Sequence, residues 1–203
     1  MSTNRLESFS DGVFAVAITL LVLGIAVPST HDPGSLGHKL AHNWAQYAAY
    51  AVSFITIGII WINHHGMISR LRAVDHTILI LNLVLLMTVA VLPFVTELIA
   101  AYLREPHDRD VAAAVYSGAF LVMGVVFSIE NSIILLRRAD LLAVALPLDR
   151  RRQILRRAAG GVTPYALAVA LSFISAYAAL AICAALALFY ALPVASGYEG
   201  ASG

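Results

Sequence analysis

Long apolar runs without any charged side chain constrain this chain more than any other feature of its sequence. Four such runs approach the 20 or so residues that an α-helix needs to cross a bilayer: residues 12–27, 43–62, 77–96 and 111–129. The first reaches full length when Phe9, Ser10 and Asp11 join its start. Arg5 before this run and the small residues near 24–26 also suit a signal peptide, but Asp11 argues against that interpretation. We therefore expect an all-α integral membrane protein.

The last apolar run, residues 158–192, is too long to be one span. As a single helix it would measure about 52 Å at ~1.5 Å per residue, whereas the bilayer core is about 30 Å thick. We interpret the run as two shorter helices that turn between residues 172 and 177. The chain then has six transmembrane helices in one domain, residues 1–193, and a disordered tail, residues 194–203. A single long, tilted final helix, giving five spans, is the competing interpretation.

Composition excludes the main classes of soluble protein. Of the 203 residues, 60% are hydrophobic and only 12% are charged, whereas soluble domains carry about 25% charged residues. The net charge of +1 provides no field to attract a nucleic acid, so we expect no nucleic-acid partner. The single cysteine, Cys183, excludes a disulfide framework. The chain shows no nucleophile–base pair and no spacing typical of a metal site, which argues against an enzyme.

Basic residues predict the orientation in the membrane, because cytoplasmic loops are enriched in Lys and Arg. With six spans, ten of the 13 basic residues lie on one side of the membrane. We therefore expect a multi-pass protein of the cell membrane with both termini in the cytoplasm. The other side holds only Lys39, Arg104 and Arg109. The densest basic segment, residues 150–157, suits either a simple topology anchor or a contact with anionic lipid headgroups.

The first helix has two different faces. At 100° per residue, an apolar stripe centred on Val16 includes one polar side chain in its middle, Thr19; its other members are Arg5, Phe9, Gly12, Leu20, Leu23 and Val27. Ser10 and Asp11 fall on the opposite half of the helix. The two faces are therefore expected to meet different partners.

A carboxylate near the membrane is costly unless it is paired, so Asp11 needs a partner inside the bundle. Polar residues of the second and third helices are the candidates: Trp61, His64, His76 and Asn82. Histidines at these positions are expected to be hydrogen-bonding partners. A metal cluster of His64, His65 and His76 is a weaker alternative, because no HExxH arrangement accompanies it.

Two further carboxylates lie within the apolar runs or at their ends, and the sequence does not settle their roles. Glu130 lies near the cytoplasmic end of the fourth run, where pairing with Arg137 or Arg138 is the favoured interpretation and a proton relay is the alternative. Glu97 follows the third run directly.

The start of the first helix carries a recognisable motif. Arg5, Phe9, Ser10 and Asp11 follow the pattern RxxxFSD, and the residues after it read GVFAVAITL. This resembles the opening of the first helix in the transmembrane protein 175 family of endosomal and lysosomal potassium channels, which has single-repeat bacterial relatives. A second block, from Trp61 and His64 to Pro93, is similar to the family's second and third helices. The resemblance covers residues 5 to about 93.

Membership in that family implies a homotetramer of six-helix chains around a pore lined by the first helix. The resemblance places a hydrophobic constriction at Val16, Leu20 and Leu23, and ion selectivity at Thr19. Relatives often have Ile or Leu in place of Val16, so the constriction is expected to be wider here, or to lie at one of the two leucines. The usual filter loop of potassium channels is missing from the sequence.

We therefore predict a potassium-preferring cation channel that conducts passively in a bacterial inner membrane. No cofactor is expected; potassium and other monovalent cations are the permeant species, and the bilayer and the other copies are the partners. A secondary transporter or proton-coupled carrier that uses Asp11, Glu130 and the histidines is the alternative. Carriers of this size usually contain a broken helix at mid-membrane, and Pro93 lies near one end of its run. A structural or assembly role is a third interpretation.

Overall fold

The computed structural model describes residues 3–31 and 33–191, which form helices joined by short loops. The predicted tail lies outside the described residues. The α-helices are α1 (Thr3–Leu20), α2 (Leu36–His42), α3 (Trp44–Ile68), α4 (His76–Tyr102), α5 (Arg109–Ser132), α6 (Leu148–Gly160), α7 (Val162–Ser172) and α8 (Ala176–Ala191). A 3-10 segment, Leu21–Gly24, prolongs α1, and a π-helical segment, Ile133–Arg137, prolongs α5.

The prediction of a membrane protein built from helices is confirmed. Four helical segments are long and apolar enough to cross a membrane: Thr3–Gly24, Trp44–Ile68, His76–Tyr102 and Arg109–Arg137. Each corresponds to one of the four predicted runs. Two of them, His76–Tyr102 and Arg109–Arg137, continue beyond the limits of the predicted run at both ends, because polar residues at the boundary stay helical.

The last apolar run breaks where the sequence predicted. The chain leaves the helical path after Ser172, and Ser175 starts the next helix by accepting a hydrogen bond at Oγ from the backbone N–H of Ala178, 3.3 Å away. A serine in this position satisfies one of the free N–H groups of a helix start. One long final helix is therefore not formed. With 11 and 16 residues, α7 and α8 are shorter than the four spans above.

Two groups of helices share the core. The first helix packs against α3 and α4, while α5 contacts α4, α6, α7 and α8. A buried polar cluster joins three of these helices: the Ser53 hydroxyl lies 2.7 Å from that of Thr96 and 3.0 Å from that of Tyr116. Each hydroxyl is thus satisfied without water, which makes its burial tolerable.

The ends of α1, α3, α4 and α5 that carry most basic residues lie on the same side of the bundle. Asp75 caps α4 by accepting from the backbone N–H of Ile78 at 2.9 Å, and its other oxygen lies 2.5 Å from Nε of Arg138, just after α5. Arg72 donates to the carbonyl of Asp140 at 2.9 Å. The loop between α3 and α4 is therefore tied to the segment that follows α5.

Candidate ion pathway

The buried face of α1 fixes the rotation of this helix against α3 and α4. Its buried residues recur every three or four positions, as one face of a helix must: Leu6, Ser10, Phe14, Ala17 and Leu21. Because this face is anchored, the opposite face is directed away from the chain.

The opposite face of α1 is apolar and exposed in the single chain. Val16 is 57% exposed, Leu20 43% and Leu23 75%, and Phe9 and Thr19 are also exposed. These are members of the stripe predicted from helical periodicity. A groove runs beside this face, between α1 and Ala90 of α4.

The 3-10 segment changes the alignment of the last two apolar residues. Residues three apart eclipse one another in a 3-10 helix, whereas they are offset in an α-helix. Since the segment Leu21–Gly24 is 3-10, Leu23 stacks more directly over Leu20 than a continuous α-helix would allow. Two apolar side chains therefore follow each other along the exposed face.

Thr19 presents an oxygen on the same face. Its hydroxyl lies 3.0 Å from the carbonyl oxygen of Ala15 and 2.9 Å from that of Val16, so its single proton is donated to the helix backbone. The lone pairs of Oγ1 remain free to accept a hydrogen bond or to coordinate a cation.

Two acidic residues of α1, Asp11 and Glu7 one turn earlier, contact two aromatic side chains of α3. The indole Nε1 of Trp61 donates to Oδ1 of Asp11 at 2.8 Å, and Nδ1 of His65 lies 2.7 Å from Oε1 of Glu7. Of the candidate partners named from the sequence, Trp61 is the one that binds Asp11. The Glu7–His65 pair was not predicted from the sequence. It repeats the contact one turn away, because both helices place residues four apart on one face.

A second set of contacts is fully buried and has a defined direction. The Ser10 hydroxyl donates to the carbonyl of Leu6 at 2.8 Å, so its oxygen accepts from Nδ2 of Asn82 at 3.1 Å. Oδ1 of Asn82 is then left to accept from Nε2 of His64, 2.7 Å away. The proton of His64 is thereby assigned to Nε2. The phenyl ring of Phe14 packs against the imidazole, with 5.4 Å between the two ring centroids.

Two predicted site residues lie outside this arrangement. His76 is the first residue of α4 and is exposed, and no hydrogen bond of the described chain joins it to Asn82 or Asp11. Its inclusion in the network was wrong. Arg5 is exposed on the first turns of α1, away from Asp11. His64 and His65 have different partners, and no group of three metal-ligating side chains forms among the described residues.

Comparison with known proteins identifies the family. The sequence model described as the endosomal/lysosomal potassium channel TMEM175 matches residues 5–93. A potassium channel of Streptomyces collinus is 45% identical over 93% of this chain and 91% of its own length, and one of Chamaesiphon minutus is 41% identical over 94% of both chains. The chain belongs to the TMEM175 family. This is a family of passive ion channels and not of enzymes.

A solved structure of the TMEM175 family has the same fold. The crystal structure of a lysosomal potassium-selective channel TMEM175 homolog from Chamaesiphon minutus superimposes with a TM-score of 0.84 at 38% identity, covering 93% of this chain and 96% of the other. All predicted site residues of this TMEM175 chain fall within the region that the family model matches.

Glu130 departs from the expected pairing in this TMEM175 chain. It is fully buried, and neither carboxylate oxygen has a hydrogen-bond partner among the described residues. Arg138 pairs with Asp75 instead, and Arg137 is exposed. The favoured pairing of Glu130 was therefore wrong. Glu97 is exposed and lies beside Gly24 at the end of the 3-10 segment, since a Cβ on Gly24 would be 3.5 Å from Cβ of Glu97.

Proposed function

We propose that this chain is a potassium-preferring cation channel, in which four copies surround a pore lined by the exposed face of α1. The observation that carries this proposal is the division of α1 into two faces. One face is held against α3 and α4 by buried packing and hydrogen bonds. The other presents an apolar stripe in which the Thr19 hydroxyl donates to the helix backbone and accepts no hydrogen bond from the described residues. The two relatives described above, which match more than nine tenths of this chain, are named potassium channels.

A homotetramer is proposed because one lining helix needs other copies to form a pore and the family resemblance implies four. A single α1 cannot enclose a pore, and identical chains assemble by closed cyclic symmetry. The groove between α1 and Ala90 gives room for a helix of a neighbouring copy. Four copies of α1 then bring four stripes to a common axis.

In the proposed topology the channel lies in the cell membrane, crosses it six times and has both termini in the cytoplasm. The contacts of Asp75 with Arg138 and of Glu7 with His65 bring the start of α1 to the same side as most of the basic loops. Cytoplasmic loops are the basic ones. The two short helices α7 and α8 complete the six spans in this arrangement.

The gate in this proposal consists of Val16, Leu20 and Leu23. Four copies of each form stacked apolar rings, in which an ion finds no oxygen to replace its water shell. A narrow ring of this kind loses its water and blocks conduction. The eclipsed position of Leu23 over Leu20 supports two adjoining rings.

Selectivity is assigned to Thr19. Its hydroxyl proton is donated to the backbone, so four Oγ1 atoms would offer lone pairs to a partly dehydrated cation on the axis. Potassium holds its water less tightly than sodium and sheds it at lower cost, and the size of the opening adds to the preference.

Reconstitution in liposomes tests this function. With a potassium gradient and no other substrate, the purified chain is expected to conduct potassium faster than sodium, and Thr19→Val is expected to lower that ratio because it keeps the shape but removes the oxygens. Native mass spectrometry in mild detergent is expected to give a tetramer. Flux that requires a counter-substrate would support the carrier alternative, which the names of the relatives do not favour. An unchanged ratio in Thr19→Val would place selectivity elsewhere.

A further inference from the structure

The helix α6 concentrates positive charge that the rest of the chain does not neutralise. Five of its 13 residues are arginines, and Asp149 is its only acidic side chain. Arg151 is used inside the protein, where it donates to the carbonyls of Leu146 and Leu135 at 2.8 and 3.2 Å. Within residues 3–31 and 33–191, no ion pair includes an arginine of α6.

Three of the four remaining arginines line a concave surface. Arg152 and Arg156 are four residues apart, as are Gln153 and Arg157, so both pairs lie side by side on the helix surface. With Asp149, these four residues border a groove of about 390 Å³. Arg70, in the loop between α3 and α4, adds a further positive charge nearby: partial burial and the charge of Arg150 lower its pKa, which places the two guanidinium groups within electrostatic reach of each other.

Exposed apolar side chains precede α6 in the chain. Leu136, Val144 and Leu148 are all more than half exposed and lie on the segment that leads into α6. Ile154 and Leu155 pack against the core on the inner side of α6, and the apolar helix α7 begins two residues after α6 ends. Charge next to exposed apolar side chains, at the start of an apolar helix, is typical of the boundary between lipid and water.

We propose that the α6 groove binds the phosphate headgroups of anionic phospholipids in the cytoplasmic leaflet. Guanidinium groups form strong, directional hydrogen bonds with phosphate oxygens. The exposed leucines and valine beside the groove would enter the acyl region of the same leaflet. The site is separate from α1 and does not depend on ion conduction. Only the choice of the cytoplasmic leaflet rests on the proposed topology, so failure of the channel proposal leaves the lipid site standing.

Thermal unfolding of the purified full chain in mild detergent tests this inference. Phosphatidylglycerol is compared with phosphatidylcholine of the same acyl chains and with inorganic phosphate. At about 100 times its Kd, phosphatidylglycerol is expected to raise the melting midpoint by about 5–10 °C, and the other two are expected to have little effect. Equal shifts with both lipids, or an equal shift with inorganic phosphate, would overturn the proposal.

Matched charge variants locate the effect. The double variant Arg152→Gln/Arg156→Gln changes exposed side chains that make no hydrogen bond within the described chain, so it is expected to fold and to bind phosphatidylglycerol about tenfold or more weakly. Arg104→Gln/Arg109→Gln removes the same charge near the other end of the bundle. It also removes the contacts of Arg104 with the His42 carbonyl and of Arg109 with Asp110, so each variant is compared with its own midpoint without lipid, and the lipid-induced shift of this control is expected to equal that of the unaltered protein. Arg152→Lys/Arg156→Lys keeps the charge but loses the guanidinium geometry, and is expected to retain part of the shift. If both glutamine variants behave alike, or if Arg152→Gln/Arg156→Gln keeps the full shift, the assignment to α6 is wrong.

Discussion

The buried contacts of Asn82 make this residue the most sensitive point of the support for α1. Asn82 accepts from Nε2 of His64 and donates to Oγ of Ser10, and it is fully buried. Asn82→Ala leaves the His64 donor without a partner, which costs about 1–3 kcal/mol, and removes a second hydrogen bond worth about 1 kcal/mol. The total loss of about 2–4 kcal/mol is a large part of the stability of a single domain.

The assay is thermal unfolding of the detergent-solubilised protein, with oligomeric state followed in parallel. For a chain of this length, 1 kcal/mol corresponds to about 2–4 °C, so Asn82→Ala is expected to lower the melting midpoint by about 4–16 °C. Asn63→Ala is the matched control, because Asn63 is exposed and donates only to the carbonyl of Ile59. Its effect should stay within about 2 °C. If both variants melt alike, the buried contacts do not hold α1.

Three further outcomes follow from other contacts. Asp11→Ala removes the acceptor of the Trp61 indole and is expected to reduce the yield of tetramer or alter gating, while the potassium-to-sodium ratio of any assembled channel stays the same. Backbone N–H groups and Arg138 lower the pKa of Asp75, so the charge of Asp75 stabilises the fold above pH ~4, and this contribution is lost as the pH falls further. The free energy of unfolding of the unaltered protein should therefore exceed that of Asp75→Asn at pH 6, and the difference should shrink towards pH 2. Glu130→Gln replaces a buried carboxyl group that has no partner among the described residues and should keep or raise the melting midpoint; a drop beyond about 5 °C would reveal a partner from another copy.

The two faces of α1 could be predicted because helical periodicity alone determines them. Residues on the exposed stripe are those whose angles cluster around Val16, and the buried Ser10 lies opposite. The break after Ser172 was also predictable, since bilayer thickness limits the length of one helix. Local patterns of this kind need no knowledge of distant contacts.

The errors came from contacts between distant segments. His76 is six residues before Asn82, which places it about 240° around the helix and therefore off the face that meets His64. The pairing of Glu130 was predicted from nearby arginines on its own segment. The π-helical segment Ile133–Arg137 instead changes the rotation of the chain, and Asp75 from another loop captures Arg138.

The exposed face of α1 is proposed to line the conduction pathway, and potassium flux through the Leu20→Asn variant in liposomes tests this proposal. A polar side chain in an apolar ring should keep the ring hydrated, so this variant is expected to form tetramers and to show a higher basal potassium flux than the unaltered protein. Leu167→Asn is the matched control, because Leu167 on α7 is exposed to a similar degree and lies on a helix that packs against α5, α6 and α8. It is expected to leave basal flux unchanged. Intact Leu20→Asn tetramers with unaltered flux, or an equal rise in Leu167→Asn, would contradict the account.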